Sequence, residues 1–180
     1  TVFDTMLPLA PQWDRDGIFP TASGKVGLRS EILVQMGQPA LPTFVPPRES
    51  LSGDPELTTR FPFALLTPKQ HTRFLNSSYS HLPKHGPLEG GPYVEMCAAD
   101  AAALGVADGD TVRVHNDRAS LELPVRISGR LRPRVVAIPF GWWGEHHPDG
   151  KVANALTNDT LTEWGGGVAY SDTLVAVELC

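Results

Sequence analysis

The chain has 180 residues, of which 41% are hydrophobic, and sets 15 basic against 20 acidic residues, a formal charge of -5 with no long run of either sign. That length makes one ordinary domain, or a domain with an extended arm, and holds enough apolar residues for a core without disulfides. The charge balance excludes nucleic acid and an anionic membrane surface as obvious partners, and the wide separation of Cys97 and Cys180 excludes a zinc-knuckle, iron–sulfur or disulfide framework within the chain.

Residues 1–60 are punctuated by Pro8, Pro11, Pro20, Pro39, Pro42, Pro46, Pro47 and Pro55, which forbid any long helix or central strand, so this stretch reads as a connector arm. Its start, Thr1-Val2-Phe3-Asp4, has neither an initiator methionine nor a signal-peptide pattern, and no apolar run in the chain approaches the roughly 18 residues of a membrane span. A piece of a longer, cytoplasmic protein, not inserted in a membrane, is expected. Within the arm, Lys25 to Leu28 predicts a short edge strand and Ser30 to Met36 one or two helical turns. Ser23-Gly24-Lys25 lacks the glycine spacing of a phosphate-binding loop.

A compact domain is expected over residues 61–180. Phe61 to Thr67 is a short apolar run of the kind that forms a buried strand, stopped by Pro68. Residues 69–92 read as a long structured loop, in which Phe74, Leu75 and Tyr79 argue against disorder. Tyr93 to Met96 predicts a strand, and Ala98 to Leu104 a helix of about two turns closed by Gly105 in the left-handed conformation. Thr111 to His115 and Ser120 to Ile127 alternate apolar with polar residues on either side of an Asn116-Asp117 turn, which predicts an antiparallel hairpin. Val135 to Pro139 is a buried strand that opens into Phe140-Gly141-Trp142-Trp143-Gly144 and a polar run ending at Asn154-Ala155-Leu156-Thr157; Thr173 to Leu179 is the last strand. Some six short strands with long loops favour a small closed or nearly closed, mainly β barrel.

Six histidines invite a metal hypothesis. His146 and His147 are adjacent, and adjacent side chains rarely aim at one ion; His81 and His85 have helical i, i+4 spacing, but Pro83 lies between them. No protein-only metal site and no nucleophile elbow is therefore assigned, and no catalytic residue. The positive signal is collective: Thr67-Pro68-Lys69, Asn76-Ser77-Ser78, Glu95 and the segment Gly141 to Thr157 all sit where strands end and loops begin. Two tryptophans between glycines, with Asn154 and Thr157 beside them, suit a heteroaromatic, phosphate-bearing ligand. Taken singly, Lys69 also reads as a solvated charge, Asn76 and Ser77 as a turn, and Glu95 as a surface strand residue.

In this order, and with Asp100-Ala101-Ala102-Ala103-Leu104-Gly105-Val106-Ala107-Asp108-Gly109-Asp110-Thr111-Val112 between them, the chain resembles the C-terminal dinucleotide-binding domain of molybdopterin oxidoreductases of the dimethyl sulfoxide reductase type, a group that includes formate dehydrogenases and nitrate reductases. Phe19 to Val26 is similar to the family's passage from the catalytic body into that domain. The resemblance implies a six-stranded double-psi-like barrel closing over molybdopterin guanine dinucleotide with Mo or W. It implies that Thr67, Pro68, Lys69, Asn76, Ser77, Ser78, Glu95, Trp142, Trp143, His146, Asn154 and Thr157 bind the cofactor, with Asn154 on the pterin. It also implies N-terminal catalytic domains of the same chain as partners, a small-molecule substrate for the parent, and the metal's protein ligand and any iron–sulfur cluster upstream. Two departures from the family pattern stand out: Pro68 takes the place of a glycine and offers no amide donor, and Lys69 the place of an arginine. The alternative is a stand-alone barrel serving protein interaction or substrate recognition.

Overall fold

The computed structural model describes residues 19, 21, 23–41, 43–70, 74, 76–162 and 165–180, so residues 1–18 of the connector arm expected over residues 1–60 lie outside the described residues. The chain divides into two compact units, Thr1–Val45 and Pro46–Cys180. In the first, the expected helical turns form α1 (Glu31–Gln35), whose N-cap Ser30 accepts a hydrogen bond from the Leu33 amide. Lys25 to Leu28 form no strand. An edge strand needs a neighbour for its backbone groups, and none lies beside these residues among those described; Lys25 O accepts from the Thr21 hydroxyl instead.

The second unit starts with a helix the proline count obscured. α2 (Pro55–Arg60) carries a full start signal, with Asp54 accepting from the Glu56 and Leu57 amides and Pro55 in the first turn. The Leu57 amide, followed by that of Glu56 and by Arg48, holds the Asp54 carboxyl below its usual range. This cap therefore acts above the ordinary carboxylate range and fades as pH falls through the lowered value.

Six strands follow: β1 (Phe63–Leu66), β2 (Val94–Met96), β3 (Thr111–His115), β4 (Ser120–Ile127), β5 (Val135–Ala137) and β6 (Leu174–Leu179). They close a barrel in the order β1-β5-β2-β4-β3-β6, as the mainly β reading expected. β1/β5 and β2/β4 are parallel and the remaining pairs antiparallel. Between β1 and β2 lies α3 (Gly86–Glu89), inside what reads from sequence as loop; α4 (Ala98–Leu104) follows β2 and ends on left-handed Gly105, as expected. Alternation decides the interior: Leu121, Leu123 and Val125 of β4 point inward with Val112 and Val114 of β3, Val94 and Met96 of β2, Val136, and Val175 and Val177 of β6. No described helix is long and apolar enough to cross a membrane.

One buried charge braces the wall. The Glu95 side chain is 6% exposed and accepts three hydrogen bonds of 3.0–3.2 Å from the Arg130 guanidinium, which tethers the β4–β5 turn to β2. Arg130→Ala strands this carboxylate, but the guanidinium is 70% exposed, so solvent compensates part of the loss. A fall of about 1–2 kcal/mol in urea unfolding is expected, largely recovered in the double variant Arg130→Ala/Glu95→Gln; no fall would mean the pair is idle.

Candidate functional site

The site is built by the parallel pair β1/β5 running on past its strand ends. Ile138 N donates to Leu66 O (2.9 Å), Phe140 N to Pro68 O (2.9 Å) and Gln70 N to Phe140 O (3.2 Å). Thr67-Pro68-Lys69 is thereby laid alongside Phe140, with Lys69 bridged to it. Pro68 joins this ladder through its carbonyl and contributes no amide. Pro68 and Lys69 are exposed, and the Lys69 ammonium forms no ion pair among the described residues.

From Phe140 the chain turns at Gly141, passes Trp142 and Trp143, makes a 3-10 turn η1 (Gly144–His146), and returns through η2 (Ala153–Ala155). Against it lies the Asn76 turn, where Asn76 adopts φ 55. Asn76, Ser77, Pro139 to Gly144, His147 and Val152 to Asn154 enclose a cleft of about 350 Å³. That volume is at the small end of the roughly 300–1,000 Å³ of small-molecule sites.

Trp142 is buried, its ring edge-on to Phe74 (centroids 4.8 Å) and to His146 (5.1 Å), and its indole N–H has no partner among the described residues. Trp143 is 53% exposed. Burial, with His146 alongside, holds the His147 imidazole below its usual range against the opposing pull of Asp149; its Nδ1 is buried without a partner among the described residues. Asn154 is exposed on η2 and its side-chain amide makes no hydrogen bond among the described residues. Unspent ring nitrogens, a free amide, an exposed indole and glycine backbone together fit a fused heteroaromatic ring with several polar edges, as a pterin or guanine has.

The structure thus gathers Asn76, Ser77, Trp142, Trp143 and Asn154 around one cleft, with Lys69 beside Phe140 at its margin. Other expected residues stand elsewhere. Ser78 is exposed in the Asn76 turn, Thr67 is half-buried at the end of β1, and Thr157 spends its hydroxyl on Asn154 O (2.9 Å). Glu95 is engaged by Arg130. His146 lines a neighbouring cavity that shares Trp142 with the cleft.

Three residues to which the sequence reading gives no part in the site, Arg118, Glu49 and Asn116, anchor the chain just past Asn154. Arg118 grips Glu49 through two 2.7 Å hydrogen bonds and donates from Nε to Leu156 O (2.9 Å). Asn116 Nδ2 donates to the same carbonyl (2.9 Å) and to Leu174 O (3.1 Å). Leu156 itself is fully buried, so the Asn154 to Thr157 segment is pinned by both its side chain and its backbone. The only sequence signal was Asn116 at a hairpin turn.

The family model described as "Molydopterin dinucleotide binding domain" matches residues 63–174. Among curated proteins the chain is similar to probable oxidoreductase YoaE of Bacillus subtilis (37% identical, covering 90% of this chain and 22% of that protein). It is also similar to the dimethyl sulfoxide/trimethylamine N-oxide reductase of Rhodobacter capsulatus (31% identical, 68% of this chain and 15% of that protein). Among solved structures, acetylene hydratase from Pelobacter acetylenicus shares the fold, with a TM-score of 0.73 at 22% identity over 89% of this chain and 24% of that one. The chain spans less than a quarter of each of these relatives. A matched segment that contains the whole barrel up to β6, the Asn76 turn and the Asn154 loop leaves one assignment: the chain belongs to the molybdopterin dinucleotide-binding domain family of the dimethyl sulfoxide reductase-type enzymes.

Proposed function

We propose that this chain is the cofactor-holding part of a larger molybdenum or tungsten oxidoreductase, binding the pterin dinucleotide without supplying the catalytic ligand. The observation that carries the proposal is the free Asn154 amide facing a cleft whose other walls are indole, glycine backbone and the Asn76-Ser77 turn. Asn154 offers both a donor and an acceptor to a ring edge, Trp143 an apolar face, and Lys69 a cation for a phosphate beside the cleft. When bound, the cofactor would supply the metal at which the parent's substrate is oxidised or reduced. The buried Trp142 and Phe74 keep water from the back of the site. Substrate, electron partner and any iron–sulfur cluster belong to the rest of such a parent.

The test is reconstitution. Adding this chain to the parent enzyme truncated before it is expected to restore pterin and guanine nucleotide content after gel filtration. Asn154→Ala is expected to lower retention about five- to tenfold, the worth of one or two hydrogen bonds to the ligand, with an unchanged melting temperature because the amide supports nothing else. Full retention in that variant would sink the assignment of Asn154.

A further inference from the structure

We propose that His81, Glu145 and His146 form a binding site for a divalent transition-metal ion of the zinc type. Neither obvious histidine pair in the sequence makes it; the fold takes one member from each. His81 stands in the turn that follows Asn76, while Glu145 and His146 stand on η1 after the two tryptophans. One ligand atom from each of the three lies within 4.8 Å of the other two. His81 Nδ1 is 2.6 Å from Glu145 Oε1, and His146 Nε2 is 3.7 Å from the same oxygen.

Those separations bracket what an ion needs. Nitrogen and oxygen ligands held about 2.0–2.1 Å from a tetrahedral zinc lie roughly 3.3 Å from one another, so movements of about 1 Å bring the three donors into place. Two imidazoles and one carboxylate suit zinc, cobalt or nickel and disfavour magnesium and calcium, which take oxygen ligands. A His81–Glu145 hydrogen bond alone would account for two of the three groups. It leaves His146 Nε2 buried with no hydrogen-bond partner among the described residues, and an ion at the centre of the cluster gives that atom a ligand contact.

The surroundings leave a fourth position open. The cluster borders a cavity of about 420 Å³ shared with Leu82, Pro83 and Trp142, whereas Asn154 belongs to the separate cleft that Trp142 also lines. An ion here would clip the 76–85 segment to the 140–157 loop, the two pieces of chain that form the Asn154 cleft. It would also sit beside both indoles, since the Trp143 ring lies 4.8 Å from that of His81 and the Trp142 ring 5.1 Å from that of His146.

The experiment uses the 180-residue chain without a histidine tag, whose residues 46–180 close a barrel around their own core. Titration with zinc chloride is followed by calorimetry, and with cobalt chloride by visible absorption and tryptophan quenching. One equivalent bound, tetrahedral cobalt bands and quenched tryptophan emission are expected. His81→Asn and His146→Gln should each weaken binding at least about tenfold, while His115→Asn, which alters the histidine paired with Glu178, should not. Melting curves without metal confirm that each variant is folded, and exposed Glu145→Gln supplies a further test with little risk to folding. No binding by the unaltered chain, or equal binding by His81→Asn and His146→Gln, would overturn the site. Either result leaves the Asn154 retention test untouched.

Discussion

Gly141→Val is expected to cost roughly 3 kcal/mol of stability and to abolish cofactor retention in the parent enzyme, because the residue is constrained twice. Its φ is +114, a region where L side chains are strained. A Cβ built there would also lie 2.5 Å from the Asn76 carbonyl oxygen and 3.5 Å from the Phe74 ring. The first contact is with backbone, so no rotamer change relieves it. The Asn76 turn must withdraw from the Trp142 loop, and these are the two walls of the cleft. Gly150→Ala separates the two causes: φ there is +71 but nothing lies within 4 Å of the added carbon. It should cost only the backbone preference, about 1 kcal/mol, with retention intact. Urea unfolding of both variants decides the matter. Were Gly141→Val no worse than Gly150→Ala, the close approach would not be what shapes the site.

The parts of this fold legible in the sequence are those set by neighbours along the chain. The β3–β4 hairpin follows from alternation on either side of Asn116-Asp117, and α4 from its alanine run and Gly105. Strand partners across the barrel were not legible, because the parallel pairs β1/β5 and β2/β4 join distant segments whose periodicity names no partner. The proline count hides α2, which Pro55 begins and does not break, and the loop reading of residues 69–92 has no place for α3, in whose first turn Pro87 stands. At the site, Asn76, Ser77, the two tryptophans and Asn154 were readable as polar groups and aromatics at strand ends. The carboxylate of Glu95 was not readable as engaged, because its partner Arg130 is far along the chain. Arg118 and Glu49 escaped notice for the same reason: what makes them important is a carbonyl, Leu156 O, that no sequence pattern marks.

That carbonyl gives the second large effect. Asn116 is fully used: Nδ2 donates to Leu156 O and Leu174 O, and Oδ1 accepts from the Arg118 and Ala119 amides at 3.0 and 3.4 Å. Asn116→Asp keeps the acceptor that shapes the hairpin turn and removes only the donors. It also sets an anionic oxygen against two carbonyl oxygens, close to the Glu49 carboxylate that accepts from the Leu174 amide. The expected cost near neutral pH is about 2–3 kcal/mol, that of stranded buried acceptors beside an unwelcome charge. The Arg118 guanidinium at the same carbonyl is already paired with Glu49, so the two carbonyl oxygens decide: the introduced carboxyl is disfavoured as an anion in the folded state, and folding raises its pKa above the unfolded value of about 3.9. Its protonated form donates as the amide did. The deficit should therefore shrink as pH falls through the raised value and be smallest below about pH 4, where Asn116→Ala, with no proton to gain, keeps its full deficit. Cofactor retention should follow stability, because the segment released is the one that carries Asn154. Equal pH profiles for the two variants would show that the hairpin turn, and not the hold on Leu156, is what Asn116 supplies.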